Sequence, residues 1–283
     1  MSVLYDVPGP KARRRSLIGS TIGTAVVVAI AVAIVLRLQS QGQLEAAKWE
    51  PFKDPDILEA LGKGVLATLK AAGLAVALAL VLGALLAVGR LAGARPVRLL
   101  STGVVELFRA IPLVLLILFF FFRFGDTLGR YGSLVAALAL YNGAVLAEVF
   151  RAGILAVPRG QSEAAAALGL RRSQTMRLIL VPQAVRTMLP AIVAQCVVAL
   201  KDTALGYVVL APGLTYVARL IYSNAEFDQN QIPTVFVVAL IYIVLNLILT
   251  AVATWVQKKF VGEKKVLEVP MVGEADPKQL PKL

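Results

Sequence analysis

The sequence predicts an all-α, polytopic membrane helix bundle with six transmembrane helices, and three observations carry that prediction. Of the 283 residues, 58% are hydrophobic and only 16% are charged, whereas a soluble domain of this size carries nearer a quarter charged residues. Six segments are each long and apolar enough to cross a hydrocarbon core of about 30 Å, which takes roughly 20 helical residues. Lysine and arginine alternate in density between the connections, as they do when every second loop is cytoplasmic. Residues 1–16, 89–102, 151–189 and 257–283 hold 19 of the 29.

In chain order, residues 1–16 read as a cytoplasmic tail, poorly ordered and rich in Pro and Arg. Leu17–Leu36 is a first transmembrane helix rather than a secretory signal: its apolar stretch is too long, and no clean cleavage site follows. Gly19 and Gly23 give it a close-packing face. The loop after it is acidic on balance (Glu45, Glu50, Asp54, Asp56, Glu59), which suits an outer face. A core follows over residues 60–256. Its spans are Val65–Val88, Gly103–Phe122, Ser133–Phe150, Pro190–Leu210 and Thr234–Val256. Trp49, Tyr131, Tyr222 and Trp255 fall near span ends, where amphipathic rings favour the interface. Residues 257–283 form a second cytoplasmic tail, so both termini are expected inside the cell membrane.

Composition also excludes chemistry. There is no histidine and one cysteine, Cys196, which removes disulfide frameworks, Cys/His metal sites and histidine acid–base catalysis. No G-x-x-x-x-G-K-[ST] loop occurs, so an ATP-driven function needs a partner. The net charge of +12 is the topology signal spread over loops and tails, and no nucleic-acid partner is expected. Neither a catalytic residue nor a metal ligand is expected.

The connection 151–189 is long, basic and built like two short helices around a turn. Ser162 is placed to cap the first helix, Ala164–Ala167 are strong helix formers, and Gly169 ends it. Ser173 is placed to cap a second helix running to about Leu180, with Pro182 limiting its continuation.

Glu163-Ala164-Ala165, then Gly169, Ile179 and Val181-Pro182, resembles the EAA motif of ABC importer permeases, EAA-x3-G-x9-I-x-LP, with Val181 in place of leucine. Further stretches resemble the permeases for polar amino acids such as histidine, arginine, glutamine and glutamate. They are Glu106 to Pro112 (ELFRGTP in that family), Asn142 to Gln161 (GAYLAEIFRGGI…GQ) and Leu200 to Leu205 (LKDTSL). A narrower likeness is to actinobacterial glutamate-uptake permeases, through the extra N-terminal helix, Leu4 to Pro10 and Lys201 to Tyr207. The resemblance implies a type I importer permease fold, with residues 162–182 as the coupling element that docks on an ATPase. It implies a dimer of ATPase subunits holding ATP and magnesium, a second identical or homologous permease, an extracellular amino-acid-binding protein, and no cofactor on this chain.

Charges inside spans should face protein or water and find partners, since each costs roughly 2.5–3.5 kcal/mol at the bilayer centre by insertion measurements. Glu106 with Arg109, and Glu148 with Arg151, are three residues apart on a helix and read as local pairs that position helices near a gate. Lys70 lies near the outer end of its span and snorkels. Lys201 and Asp202 sit about mid-span and have two readings. With Thr203 and Asn142 they offer a zwitterionic substrate its counter-groups; otherwise they bond within the bundle and fix a kink beside Gly206. The rival function is an ion-driven secondary transporter using Lys201, Asp202 and Glu148 as a relay, which leaves the 162–182 motif without a role. A membrane scaffold with no transport path is a further rival, which leaves the mid-span charges unexplained.

Overall fold

The computed structural model describes residues 9–227 and 230–261, and every regular element among them is helical. The chain forms two compact units, one from residues 9–70 and Ala204–Ile243, the other from Ala71–Thr203 and residues 244–261. Five helical stretches are long and apolar enough to cross a membrane: Lys11–Ser40, Pro55–Arg90, Leu113–Leu155, Arg172–Val209 and Gln231–Lys259. The expected count of six is not reached: Leu113–Leu155 takes in the later half of the third expected span and all of the fourth.

In the first unit, α1 (Pro10–Ser40) is without charge on any side from Leu17 to Leu36 and buries no described residue, the pattern of a helix solvated by lipid. It starts inside the stretch read as a tail, because Pro10 at the first turn is already set for helical φ and lacks only an N–H that would go unpaired there. Residues 1–8 and 262–283, half of the first tail and most of the second, lie outside the described residues. The acidic connection folds as a 3-10 helix, Ala46–Lys53, and α2 (Pro55–Arg90) begins about three turns before Val65. Ile57 and Leu61 of α2 pack on Leu214, Val217, Ala218 and Ile221 of α8 (Leu214–Tyr222) and on Val238 of α9 (Gln231–Val261). Gly64 permits that approach: a Cβ there would stand 3.0 Å from Val217 Cγ2 and 3.2 Å from Leu214 Cα. The buried Thr68 hydroxyl accepts the Leu214 N–H at 3.0 Å, satisfying one of the orphan donors of the α8 N-terminus.

The second unit starts with the rest of α2, whose inward stripe is Ala71, Ala75, Ala79, Gly83 and Ala87. Small residues let backbones approach in a membrane protein, where no water is excluded between helices. At Gly83 a Cβ would meet Leu146 Cβ at 2.9 Å and the Gly143 carbonyl at 3.0 Å. The expected third span, Gly103–Phe122, is interrupted. The helix α3 (Arg95–Ala110) stops at Ile111, which is extended (φ −78°, ψ 127°) because it precedes Pro112. A new helix, α4 (Leu113–Leu155), then runs for 43 residues. Straight, it would be about 65 Å long, far more than one crossing needs. Gly129, at φ 66° and ψ 178°, divides it, and the second part contains the expected Ser133–Phe150 span. After α5 (Arg159–Ala167), the helix α6 (Arg172–Thr175) passes through a π turn, Met176–Leu180, into α7 (Val181–Asp202), followed by a 3-10 stretch, Thr203–Val209.

Candidate coupling site

Local sequence explains the hairpin formed by α5 and α6. The α5 helix starts earlier than the Ser162 cap predicts, at Pro158-Arg159, where proline presets φ. The Ser162 hydroxyl instead donates to the Arg159 carbonyl inside the first turn, at 2.7 Å. The stop falls where expected: Gly169 has φ +75°. Its N–H donates to the Ala166 carbonyl at 2.9 Å, and the Leu170 N–H donates to Ala165 at 3.0 Å. That pair of bonds is a Schellman motif. The next helix is not capped by Ser173. It begins at Arg172, and the Gln174 side chain accepts the Arg171 N–H at 2.8 Å.

Nor does Pro182 end that helix. The chain widens into the π turn just before it, and the Val181 N–H donates to Met176, five residues back. In an α-helix the Pro182 ring would crowd the carbonyl four residues earlier, and the wide turn falls where that crowding would occur. The second half of the predicted hairpin and the fifth span are therefore one helical stretch, Arg172–Val209.

The motif residues divide by exposure. Ala165 is buried, 1% exposed, while Glu163, Ala164 and Gly169 are exposed. Ile179 is half-buried in the π turn and Pro182 is exposed. Leu168, at the α5 tip, is 80% exposed, a large apolar side chain with no cover in this chain. Arg172 anchors the hairpin by donating from Nη2 to the Leu91 carbonyl at 2.9 Å, just past the α2 C-terminus. Gln183 donates to Gln161 at 3.4 Å and ties α7 back to α5. A groove of about 620 Å³ runs beneath, lined by Leu91, Leu155, Ala166, Leu170, Met176 and Leu180 among others.

Beside this anchor lies an ion network that the sequence only half discloses. Arg109 and Glu106 pair at 3.8 Å, and Arg151 and Glu148 at 2.7 Å, as their spacing predicts. Arg90 joins the two pairs. Its Nη1 is 2.5 Å from Glu148 Oε2, its Nη2 is 3.6 Å from Glu106 Oε1, and its side chain is only 8% exposed. The carboxylates thus lie on α3 and α4 around a cation at the end of α2. Its place in a connection marked only by positive charge gave no sign of that role.

The four residues offered as substrate contacts, Asn142 and the consecutive Lys201, Asp202 and Thr203, sit in different surroundings. Asn142 is buried, 1% exposed, with both ends of its amide engaged: Nδ2 donates to the Leu138 carbonyl at 2.8 Å, and Oδ1 accepts from Gln195 Nε2 at 2.6 Å. The structure links it to Gln195 of α7, not to Lys201 or Asp202. Lys201 is exposed and Asp202 half-buried at the last turn of α7. Among the described residues neither makes a salt bridge. Thr203 is buried and its hydroxyl donates to Leu200 at 2.6 Å, where the backbone tightens from α to 3-10. Lys70 is exposed. Among the described residues no group of three acidic, Cys or His side chains is arranged to hold a metal ion.

Residues 60–262 match the family described as "Binding-protein-dependent transport system inner membrane component". The chain is 42% identical over 229 residues to the glutamate transport system permease protein of Corynebacterium glutamicum, covering 78% of this chain and 83% of that one. It is 33% identical over 207 residues to the glutamate/aspartate import permease protein of Escherichia coli, covering 69% and 91%. Among solved structures, an amino acid ABC transporter with histidines superposes with a TM-score of 0.66 at 30% identity, over 71% of this chain and 94% of that chain. The family match takes in nearly all of α2 and every later described helix, including the hairpin and the ion network, and the chain belongs to the binding-protein-dependent transport system inner membrane components.

Proposed function

We propose that this chain is the membrane-spanning permease subunit of an ATP-driven ABC importer for a polar amino acid, with glutamate as its substrate. The observation that carries the coupling half of this reading is the exposed α5 hairpin, stopped at Gly169, anchored at Leu91 and continuous with α7. The substrate half rests on the relatives, of which the Corynebacterium glutamicum protein is a glutamate permease and the Escherichia coli protein a glutamate/aspartate permease.

On this reading, Glu163, Ala164 and Leu168 face a cleft on a cytoplasmic ATPase subunit, and Ala165, Ile179 and Pro182 give the hairpin its shape. Two such ATPases, binding ATP and magnesium, close on each other. Each draws a hairpin with it, and because α6 and α7 are one helical stretch, a tilt of the hairpin is a tilt of the span. A second permease, identical or homologous, completes the pathway in the cell membrane, an external binding protein delivers the amino acid, and both termini are cytoplasmic. The chain itself makes and breaks no covalent bond. Asn142 serves the bundle through Gln195, and Lys201, Asp202 and Thr203 remain the candidates for the pathway.

The test uses Glu163→Lys and Gly169→Asp in the complex assembled with its ATPase. Both variants are expected to insert in the membrane at wild-type level and to lose most of the ATPase that copurifies with wild type. Retention of the full ATPase complement by both would remove residues 162–182 from the docking surface.

A further inference from the structure

We propose that Arg90 is a positioning residue that transmits hairpin movement to the helices bearing Glu106 and Glu148; the inference rests on the coupling role proposed above. Three observations converge on the C-terminus of α2. Arg172, at the start of α6, holds the Leu91 carbonyl at 2.9 Å, so the hairpin is fastened one residue beyond Arg90. The Arg90 guanidinium grips Glu148 of α4 at 2.5 Å and stands 3.6 Å from Glu106 of α3. Its side chain is 8% exposed, and its Nε, buried, has no hydrogen-bond partner among the described residues.

The geometry gives Arg90 two unequal holds. Glu148 is held at both oxygens, because its other one accepts from Arg151 at 2.7 Å. Glu106 is 58% exposed and held at a distance beyond a hydrogen bond, with Arg109 at 3.8 Å. A fork-shaped guanidinium with a spare donor can tighten on Glu106 while keeping Glu148. A pull on Leu91 through Arg172 therefore moves the group that sets the spacing of α3 and α4. A lysine in the same place keeps the charge but gathers its three donors on one nitrogen, with no planar fork to span Glu148 and Glu106, so it joins the two carboxylates less well. An idle buried charge would need no connection to the hairpin; here the fastening and the ionic hub are adjacent residues of one helix end.

The experiment measures glutamate uptake and ATP hydrolysis in the same vesicles, with the full complex and its binding protein, for wild type, Arg90→Lys, Arg90→Gln, Arg172→Gln and the Arg90→Gln/Arg172→Gln double variant. Assembly is checked first by copurification of the ATPase. The expected result is that Arg90→Gln hydrolyses ATP at half the wild-type rate or more but transports at least tenfold less per ATP. Arg90→Lys falls between, and the double variant transports per ATP as the worse single variant does. A transport-to-hydrolysis ratio that stays at wild-type value in the Arg90 variants overturns the inference, as does a double variant whose losses multiply. If Arg90→Gln does not assemble, Arg90→Lys and Arg172→Gln decide alone by the same ratio. A wild-type complex with no ATP-dependent uptake removes the importer reading and this inference with it, whereas an active wild type with an unchanged ratio removes the inference alone.

Discussion

Gly169 offers a perturbation whose magnitude can be worked from the backbone alone. Its φ of +75° closes the Schellman motif, and a Cβ built there meets nothing within 4 Å. Replacement therefore introduces no clash, and the whole effect is conformational. An L-residue in the left-handed region costs roughly 1–2 kcal/mol relative to glycine. Gly→Ala also removes freedom from the open chain, which offsets roughly half a kcal/mol or more. The net for Gly169→Ala is about 1 kcal/mol, or roughly a fivefold rise in the open population of the α5 end at RT of about 0.59 kcal/mol. Valine, branched at Cβ, costs at least about 2 kcal/mol and gives roughly thirtyfold. Asparagine, which tolerates this region, stays near wild type. Hydrogen exchange of the residue 168–170 amides reads these populations, because they donate to Ala164, Ala166 and Ala165 in the closed state. The expected order is Asn, then Ala, then Val. Equal exchange in all three, or asparagine faster than valine, would show that positive φ at this position does not set the hairpin's end.

Other outcomes follow from the same geometry. Gln195→Leu strands the buried Asn142 Oδ1 and should lower thermal stability in detergent by an amount equivalent to about 1–3 kcal/mol; an unchanged melting temperature together with lost uptake would return Asn142 to the pathway. Gly83→Val places a side chain where a Cβ already meets Leu146 at 2.9 Å and the Gly143 carbonyl at 3.0 Å. It should cost about 1–3 kcal/mol through overpacking, read as a lower yield of monodisperse protein, and wild-type yield would contradict the close approach of α2 and α4. Removing residues 1–44 deletes a helix with no buried residue outside the matched region 60–262. The rest should still insert and melt at wild-type temperature; aggregation on truncation would mean that α1 supports the core.

Much of this fold was legible because a membrane span needs only length and apolarity, which Leu17–Leu36 and Thr234–Val256 declare outright. The division at Ile111-Pro112 was carried by the proline itself, yet the apolar run Leu113–Phe122 reads straight across it, since hydropathy does not register a break in φ and ψ. The hairpin stop was readable at Gly169, where only backbone conformation matters. Its starts were not, because Ser162 and Ser173 have the right chemistry while Pro158 and Gln174 secure the turns. Pairs three residues apart on one helix, Glu106 with Arg109 and Glu148 with Arg151, are local and were visible. Arg90 with Glu148 and Asn142 with Gln195 join residues 58 and 53 positions apart, and no local period discloses them.

The central claim is that ATP hydrolysis by partner subunits drives polar amino-acid uptake through this chain. The most direct measurement is uptake of labelled glutamate, glutamine and arginine into vesicles holding the reconstituted complex and its binding protein, with ATP supplied to the ATPase side or withheld, and with or without an imposed proton or sodium gradient. Glutamate accumulating only with ATP, and regardless of the gradient, is the predicted result. Accumulation that follows the gradient in vesicles lacking the ATPase would contradict it and make the chain an ion-driven carrier.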